Sequence, residues 1–149
     1  MTKLNIVLYE PEIPQNTGNI ARLCACTGSS LYLVGKLGFS LSSKYTKRAG
    51  MDYWESVDLH KIESMDALFH EFPGSRFFYL TTKTKRKYTD IEFKDGDFSV
   101  FGPESRGLPP EYVTSETALT IPMKDGQRSL NLSNSVAIVA YEAIRQLGL

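Results

Sequence analysis

A series of five short apolar runs, most of them separated by segments of helical periodicity, is the strongest constraint on the fold of this chain. The runs are "LNIVLYE" (4–10), "SLYLVG" (30–35), "RFFYLTT" (76–82), "DFSVFG" (97–102) and "ALTIP" (118–122). Continuous apolar strands that alternate with helices are typical of a parallel sheet covered on both faces. The sequence therefore predicts an α/β fold with a mostly parallel sheet.

Four helices are predicted between and after these strands. The first covers about 15–27 and ends at Gly28; the second, over 61–72, has Ser64 as a cap candidate. A short helix over 109–115 opens with proline, and a long apolar helix over 133–148 closes the chain at Gly148. With 149 residues and a 42% hydrophobic content, we expect one globular domain spanning residues 1–149.

Composition excludes several classes of function. Lys plus Arg and Asp plus Glu both total 17, so net charge gives no indication of a partner. Cys24 and Cys26 are poorly spaced to bridge each other, and with only two histidines no familiar zinc spacing is present. We expect a reduced, cytoplasmic setting, no metal, and neither a signal peptide nor a membrane span.

The loops after the strands carry the clearest functional signal. Three of these segments, "PEIPQNTGN" (11–19), "GPESRGLP" (102–109) and "PMKDGQRSLN" (122–131), combine Gly and Pro with polar or charged residues, and the fourth, "TTKTKRKY" (81–88), is polar and basic. Ligands of parallel α/β sheets bind beyond the carboxyl ends of the strands. These four loops are therefore the predicted walls of a ligand site.

Two common phosphate-binding signatures are excluded. Gly102 and Gly107 have the spacing of a P-loop, but Leu108 and Pro109 stand where Lys and Ser or Thr are required. No G-x-G-x-x-G follows the first strand either. The rigid segment "FGPESRGLPP" (101–110) is either a wall that presents backbone groups to a ligand or a merely structural turn.

Several polar residues in or near these segments allow two interpretations each. Asn16 either caps the first helix or belongs to the site; Arg22 is either a solvated helix residue or reaches toward it. Glu104 either lies near a helix N-terminus or faces a cationic ligand, and at least one of Asn131, Ser133 and Asn134 caps the last helix. Tyr141 is expected to be a core residue.

Two basic segments are interleaved with or flanked by aromatic residues, a pattern that suits an unstacked RNA loop. The alternative is that each is an ordinary solvated loop. The first lies within "SKYTKRAGMDYW" (43–54) and the second is "KTKRK" (83–87). The candidate RNA-binding residues are Lys44, Lys47, Arg48, Lys83, Lys85, Arg86 and Lys87.

Three segments together resemble a known family. "PEIPQNTGNIARLCACTG" (11–28), "FGPESRGLP" (101–109) and "IPMKDGQRSLNLSNSVAIVAYEA" (121–143) look like motifs one, two and three of the SpoU (TrmH-like) branch of the SPOUT RNA methyltransferases. The likeness runs nearly end to end and is closest to small members that consist of the catalytic domain alone. A separate RNA-binding domain is therefore not expected.

This resemblance implies a fold and a cofactor. The expected fold is the SPOUT-type α/β sheet with helices on both faces and a C-terminal trefoil knot, a feature that is very rare in proteins. S-adenosyl-L-methionine is expected in the knot loops. By position in the motifs, it would contact Leu80, Thr81, Gly102, Glu104, Ile121, Met123, Ser129 and Leu130.

The family pattern also implies catalytic residues and a substrate. Its catalytic positions fall on Asn16, Arg22, Glu104 and Asn131. Arg22 is either the base for a ribose 2'-hydroxyl or, since a guanidinium stays protonated, an electrostatic group for the adjoining phosphate or the developing alkoxide. We favour the second role.

The implied substrate is the wobble nucleotide, a cytidine or modified uridine, in the anticodon stem-loop of certain tRNAs. A homodimer is also implied, and the apolar character of the closing helix favours it. The remaining alternatives are 2'-O-methylation of another tRNA or rRNA site and a non-catalytic RNA-binding module. Intact residues at Arg22, Glu104, Ser129 and Asn131 speak against the latter.

Overall fold

The computed structural model describes residues 3–42 and 54–148. Six strands form one sheet: β1 (Asn5–Tyr9), β2 (Ser30–Val34), β3 (Asp58–Ile62), β4 (Phe77–Leu80), β5 (Phe98–Phe101) and β6 (Ala118–Leu119). Their order across the sheet is β3-β2-β1-β5-β4-β6, and all five strand pairs are parallel. The predicted α/β fold with a parallel sheet is confirmed.

Helices cover both faces of this sheet. They are α1 (Pro14–Thr27), α2 (Met65–Glu71), α3 (Pro110–Val113) and α4 (Leu132–Leu147), with short 3-10 turns at Trp54–Ser56 and Tyr88–Asp90. Successive strand residues point to opposite faces. In β1, Ile6 and Leu8 therefore pack in the core beneath α1 and α4, and Val7 packs in the core beneath α2 and α3.

The strand β3 was not predicted. The sequence interpretation placed a helix over 61–72, whereas the structure has a strand through Ile62 and begins α2 at Met65. Strand β3 contains Asp, His and Lys and is only partly buried, because it lies at the edge of the sheet. Strand β3 is held in place by its backbone pairing with β2, and the residues of β3 give no local signal of this pairing.

The predicted helix boundaries are confirmed at four positions. Ser64 caps α2 by accepting a hydrogen bond from the backbone N–H of Ala67. Gly28 ends α1 in the left-handed conformation, with φ of 69°, and Gly148 follows the last residue of α4. Pro110 opens α3, where its missing N–H costs nothing.

The first residue of α1 is Pro14, slightly earlier than predicted. Asn16 is therefore inside the first turn, and the interpretation of Asn16 as the helix cap is wrong. Ile13 occupies the cap position, and no side chain caps the helix from that position. The N-terminus of α1 must be satisfied by groups from elsewhere in the fold.

The prediction for Tyr141 is also wrong. Its side chain is 50% exposed, on the face of α4 that points away from the sheet. The buried face of α4 consists of Leu132, Val136, Val139, Ala140 and Ala143. None of the helices in residues 3–42 and 54–148 is long and apolar enough to cross a membrane.

Candidate active site

A cavity of about 750 Å³ lies at the carboxyl edge of the sheet. It is enclosed by the segments that follow β4, β5 and β6 and by the start of α1. This is the edge at which parallel strands present their ligand-binding loops, close to the point where the strand order reverses between β1 and β5. These loops therefore line one cavity, as predicted, and its role as a ligand site stays a prediction.

The cavity collects most of the predicted site residues. All eight candidate cofactor residues line it, as do three of the four candidate catalytic residues, Asn16, Glu104 and Asn131. Arg22 is exposed and is not among the lining residues. It lies six residues beyond Asn16 on α1, or about 9 Å along the helix axis.

Glu104 provides the side-chain hydrogen-bond acceptor that the residues at the N-terminus of α1 lack. Its carboxylate accepts hydrogen bonds from the backbone N–H groups of Glu12 (2.9 Å) and Ile13 (2.8 Å). It also accepts one from Nδ2 of Asn16 at 3.1 Å. A negative charge at this end of the helix is favoured by the helix dipole. Glu104 thus lies against a helix N-terminus, as one interpretation had it, but not as a first-turn acid: the helix is α1, which begins about 90 residues earlier.

A chain of hydrogen bonds continues from Glu104 to the last helix. Oδ1 of Asn16 accepts from Nδ2 of Asn131 at 3.1 Å. Oδ1 of Asn131 in turn accepts from the backbone N–H of Ser133 (2.9 Å) and of Asn134 (3.3 Å), so Asn131 caps α4 as predicted. One polar network therefore fixes the starts of both helices that flank the cavity.

A second set of contacts joins the same two loops, with its acceptors in the loop after β1 and its donors in the loop after β5. Glu12 accepts from the backbone N–H of Ser105 (2.8 Å) and from its hydroxyl (2.9 Å), and these hydrogen bonds lower the pKa of Glu12. Arg106 donates to Glu10 at 2.6 Å. Glu10 has a φ of 48°, the only positive value at a non-glycine residue in the described chain. The loop after β1 and the loop after β5 are thus tied together from both sides.

Sequence reasoning missed Glu10, Glu12, Ser105 and Arg106 as supporting residues of the site. Their contacts join positions more than 90 residues apart, which no local pattern reveals. It also missed Arg128, which lines the cavity. The available signal was the position of Arg128 within the loop after the fifth apolar run, between Gly126 and Ser129.

The predicted basic segments have different outcomes. Lys83 lines the cavity, and Lys85, Arg86 and Lys87 are exposed. The backbone around Arg86 and Tyr88 pairs with Thr120, so this segment runs beside the end of β6. The guanidinium of Arg86 also donates to the carbonyl of Glu116 at 3.1 Å. Lys44, Lys47 and Arg48 lie outside the described residues.

The parallel sheet, the cavity at its carboxyl edge and the three polar motifs define a methyltransferase of the SpoU type. Residues 3–141 match the model of the SpoU rRNA Methylase family, and the chain belongs to this family. A tRNA (cytidine(34)-2'-O)-methyltransferase from Methylovorus glucosotrophus is 52% identical over 145 residues, which cover 95% of this chain and 94% of that protein.

Solved structures agree with the assignment. One that is described as giving structural insights into the 2-OH methylation of C/U34 on tRNA superposes with a TM-score of 0.91 and 47% identity. The superposed region covers 98% of this chain and 97% of the chain in that structure. An AdoMet-bound rRNA methyltransferase from Sinorhizobium meliloti has a TM-score of 0.83 at 25% identity, covering 97% of this chain and 57% of its own.

Proposed function

We propose that this chain transfers a methyl group from S-adenosyl-L-methionine to the ribose 2'-hydroxyl of nucleotide 34, the wobble nucleotide, in certain tRNAs. The acceptor is a cytidine or a modified uridine of the anticodon stem-loop. The observation that carries the proposal is 52% identity, over nearly the whole length of both chains, to a tRNA (cytidine(34)-2'-O)-methyltransferase. The chain acts as a single catalytic domain in the cytoplasm.

The cavity suits the cofactor in size and in the chemistry of its walls. Its volume of about 750 Å³ falls in the range of small-molecule sites. The apolar side chains of Leu80, Ile121, Met123 and Leu130 offer surfaces for the adenine, and the backbone near Thr81, Gly102 and Ser129 supplies polar groups. When bound, the cofactor supplies an electrophilic methyl group on a sulfonium.

The polar network positions the acceptor. Glu104, Asn16 and Asn131 hold one another through direct hydrogen bonds at the cavity wall, so their side chains cannot move independently. In-line methyl transfer depends chiefly on the alignment of the ribose oxygen with the methyl group. We assign these three residues to holding the ribose, and Arg22 to the adjoining phosphate or the developing alkoxide, while another acceptor takes the proton of the 2'-hydroxyl.

The trefoil knot belongs to the same proposal. After β6, at one edge of the sheet, the chain returns past the cavity to α4, which packs against α1. Segment 121–131 passes the loops that follow β4 and β5 on this route. A chain trace from an experimental structure tests the knot: a trace that straightens when pulled from both ends would exclude it.

The RNA surface includes the cations that the sequence predicted. Lys83, Lys85, Arg86 and Lys87 are exposed beside the cavity and are suited to phosphate contacts. Lys44, Lys47 and Arg48 are proposed on the sequence pattern alone.

A homodimer completes the proposal. On α4, Tyr141 is 50% exposed and Ala137 and Ile138 are only partly buried, so the helix has an apolar outer face. A second copy of this chain would cover that face. Sedimentation at micromolar concentration is expected to give a dimer, and a monomer alone would refute this part.

The experiment for the function is methyl transfer to total tRNA from a strain that lacks the gene, followed by nucleoside mass spectrometry. Wild type should produce 2'-O-methylated cytidine or uridine at position 34. Arg22→Ala should lower the rate about 100-fold, because it removes a positive charge from the transition state.

Arg22→Lys tests the role of the charge. If Arg22 acts electrostatically, Arg22→Lys should recover part of the rate without a new titration near neutral pH. A titration that is present in wild type and lost in both variants would instead identify Arg22 as the base. Methyl groups at another position would reassign the substrate, and cofactor binding without transfer to any RNA would favour the non-catalytic module.

A further inference from the structure

Two cations on the cavity wall have no partner within the described part of the chain. Lys83 follows β4 and Arg128 precedes α4; both side chains are exposed, and both residues line the cavity. Among residues 3–42 and 54–148, the structure records no ion pair and no hydrogen bond made by the side chain of either residue; only the backbone N–H of Lys83 donates, to the hydroxyl of Thr81. A third lining cation, Arg106, is instead held by Glu10 at 2.6 Å and by Glu12 at 3.7 Å.

The acidic residue that lines the cavity, Glu104, and those of the loop after β1 are already engaged. Glu104 accepts three hydrogen bonds, and Glu12 accepts two from Ser105. The starts of α1 and α4 are occupied by Glu104 and Asn131, so neither offers a vacant anion site. The positive charges of Lys83 and Arg128 therefore remain available to a ligand from outside the chain.

We propose that Arg128 and Lys83 form a clamp for one phosphodiester of the RNA, beside the nucleotide whose ribose enters the cavity. This inference rests on the proposed function. Arg presents a fork that matches two phosphate oxygens, and Lys adds a compact point charge. Arg128 was not among the predicted RNA-binding residues, and its position in the wall distinguishes it from the outer cations of the 83–87 segment.

The charge of the cofactor favours the phosphodiester as the occupant. S-adenosyl-L-methionine carries a sulfonium and an ammonium against one carboxylate, so two further cations in its cavity do not improve its overall binding. A phosphodiester has no such positive groups. Arg128 immediately precedes Ser129, Leu130 and Asn131 in sequence, and all of them line the same cavity. A phosphate held by Arg128 would therefore lie close to the reacting ribose and would help to orient it.

The test measures RNA and cofactor affinity separately. Binding of a fluorescent anticodon stem-loop RNA is followed over a series of salt concentrations for wild type, Lys83→Ala, Arg128→Ala, Arg128→Lys and the double alanine variant. Cofactor affinity is measured by calorimetry on the same proteins. Lys94→Ala is the matched control, because Lys94 is exposed just before β5, at the opposite edge of the sheet.

We expect each alanine variant to bind the RNA about tenfold more weakly. The slope of log affinity against log salt should become shallower by about 0.7 for each lost contact. Arg128→Lys should fall between wild type and Arg128→Ala, since it keeps the charge and loses the fork. Cofactor affinity should stay within about twofold of wild type, and Lys94→Ala should match wild type in both measurements.

Three results would overturn the clamp. The first is unchanged RNA affinity and salt slope in both alanine variants. The second is weakened cofactor binding with intact RNA binding, which would assign the cations to the carboxylate of the cofactor. The third is a wild-type protein with no salt-dependent affinity for the stem-loop. The proposed function fails by a separate observation, the absence of methyl transfer by wild type. In that case the salt dependence of RNA affinity can still be interpreted.

Discussion

Replacing Glu104 with glutamine is expected to lower methyl transfer at least about 100-fold and to destabilise the fold by about 2 kcal/mol. The carboxylate accepts from two backbone N–H groups, of Glu12 and Ile13, and from the side chain of Asn16. A glutamine side chain has only one acceptor oxygen, and its NH₂ group would face one of these donors. It also removes a negative charge from the N-terminus of α1, whose first turn contains no acidic residue.

Urea unfolding and single-turnover methyl transfer measure the two effects. Glu63→Gln is the control, because it makes the same chemical change at an exposed residue outside the cavity. Unchanged stability with a large loss of cofactor affinity would show that Glu104 faces a cationic ligand instead. Near-normal stability and activity together would show that the network does not position the site.

Replacing Gly102 with alanine is expected to distort the loop after β5. A Cβ atom at this position would lie 2.5 Å from the backbone carbon of Gly107 and 2.5 Å from the backbone nitrogen of Leu108. Both neighbours are main-chain atoms, so no side-chain rotation can relieve the clash. The two segments of the loop must move apart, and this movement displaces Glu104 and the cavity wall.

The expected cost is about 2–3 kcal/mol in stability and about 100-fold in methyl transfer, together with weaker cofactor binding. Thermal unfolding, calorimetry with the cofactor and the methylation rate measure these effects. Gly74→Ala is the control, because a Cβ at Gly74 meets no atom within 4 Å. Its stability should match wild type within about 0.5 kcal/mol. A fully active Gly102→Ala protein would mean that the loop can open without affecting the site.

Much of the sheet could be predicted from local sequence. The strands β1, β2, β4, β5 and β6 are marked by apolar runs, because a strand buried on both faces excludes polar side chains at nearly every position. Strand β3 was missed for the converse reason: as an edge strand with Asp58, His60 and Lys61 it carries little local signal. Its stability comes from the backbone ladder with β2.

The location of the cavity was predictable in the same way. Parallel strands bring their carboxyl ends to one edge, so the polar loops after them had to meet there. The arrangement inside the site was not predictable. Nothing local to Glu104 indicates that it completes a helix that begins about 90 residues earlier, or that Asn16 joins it to the cap of α4.

Local sequence is enough to set the alternation of strands and helices, the helix ends at Gly28 and Gly148, and the positions of the polar loops. These features depend on burial and backbone conformation, which are properties of neighbouring residues. Which side chains satisfy one another depends instead on how the distant segments pack. This packing pairs Arg106 with Glu10, and it leaves the side chains of Lys83 and Arg128 at the cavity without a partner among the described residues. Hydrogen bonds and ion pairs act over a few ångströms, so their partners are fixed by the packing of distant segments and not by sequence distance.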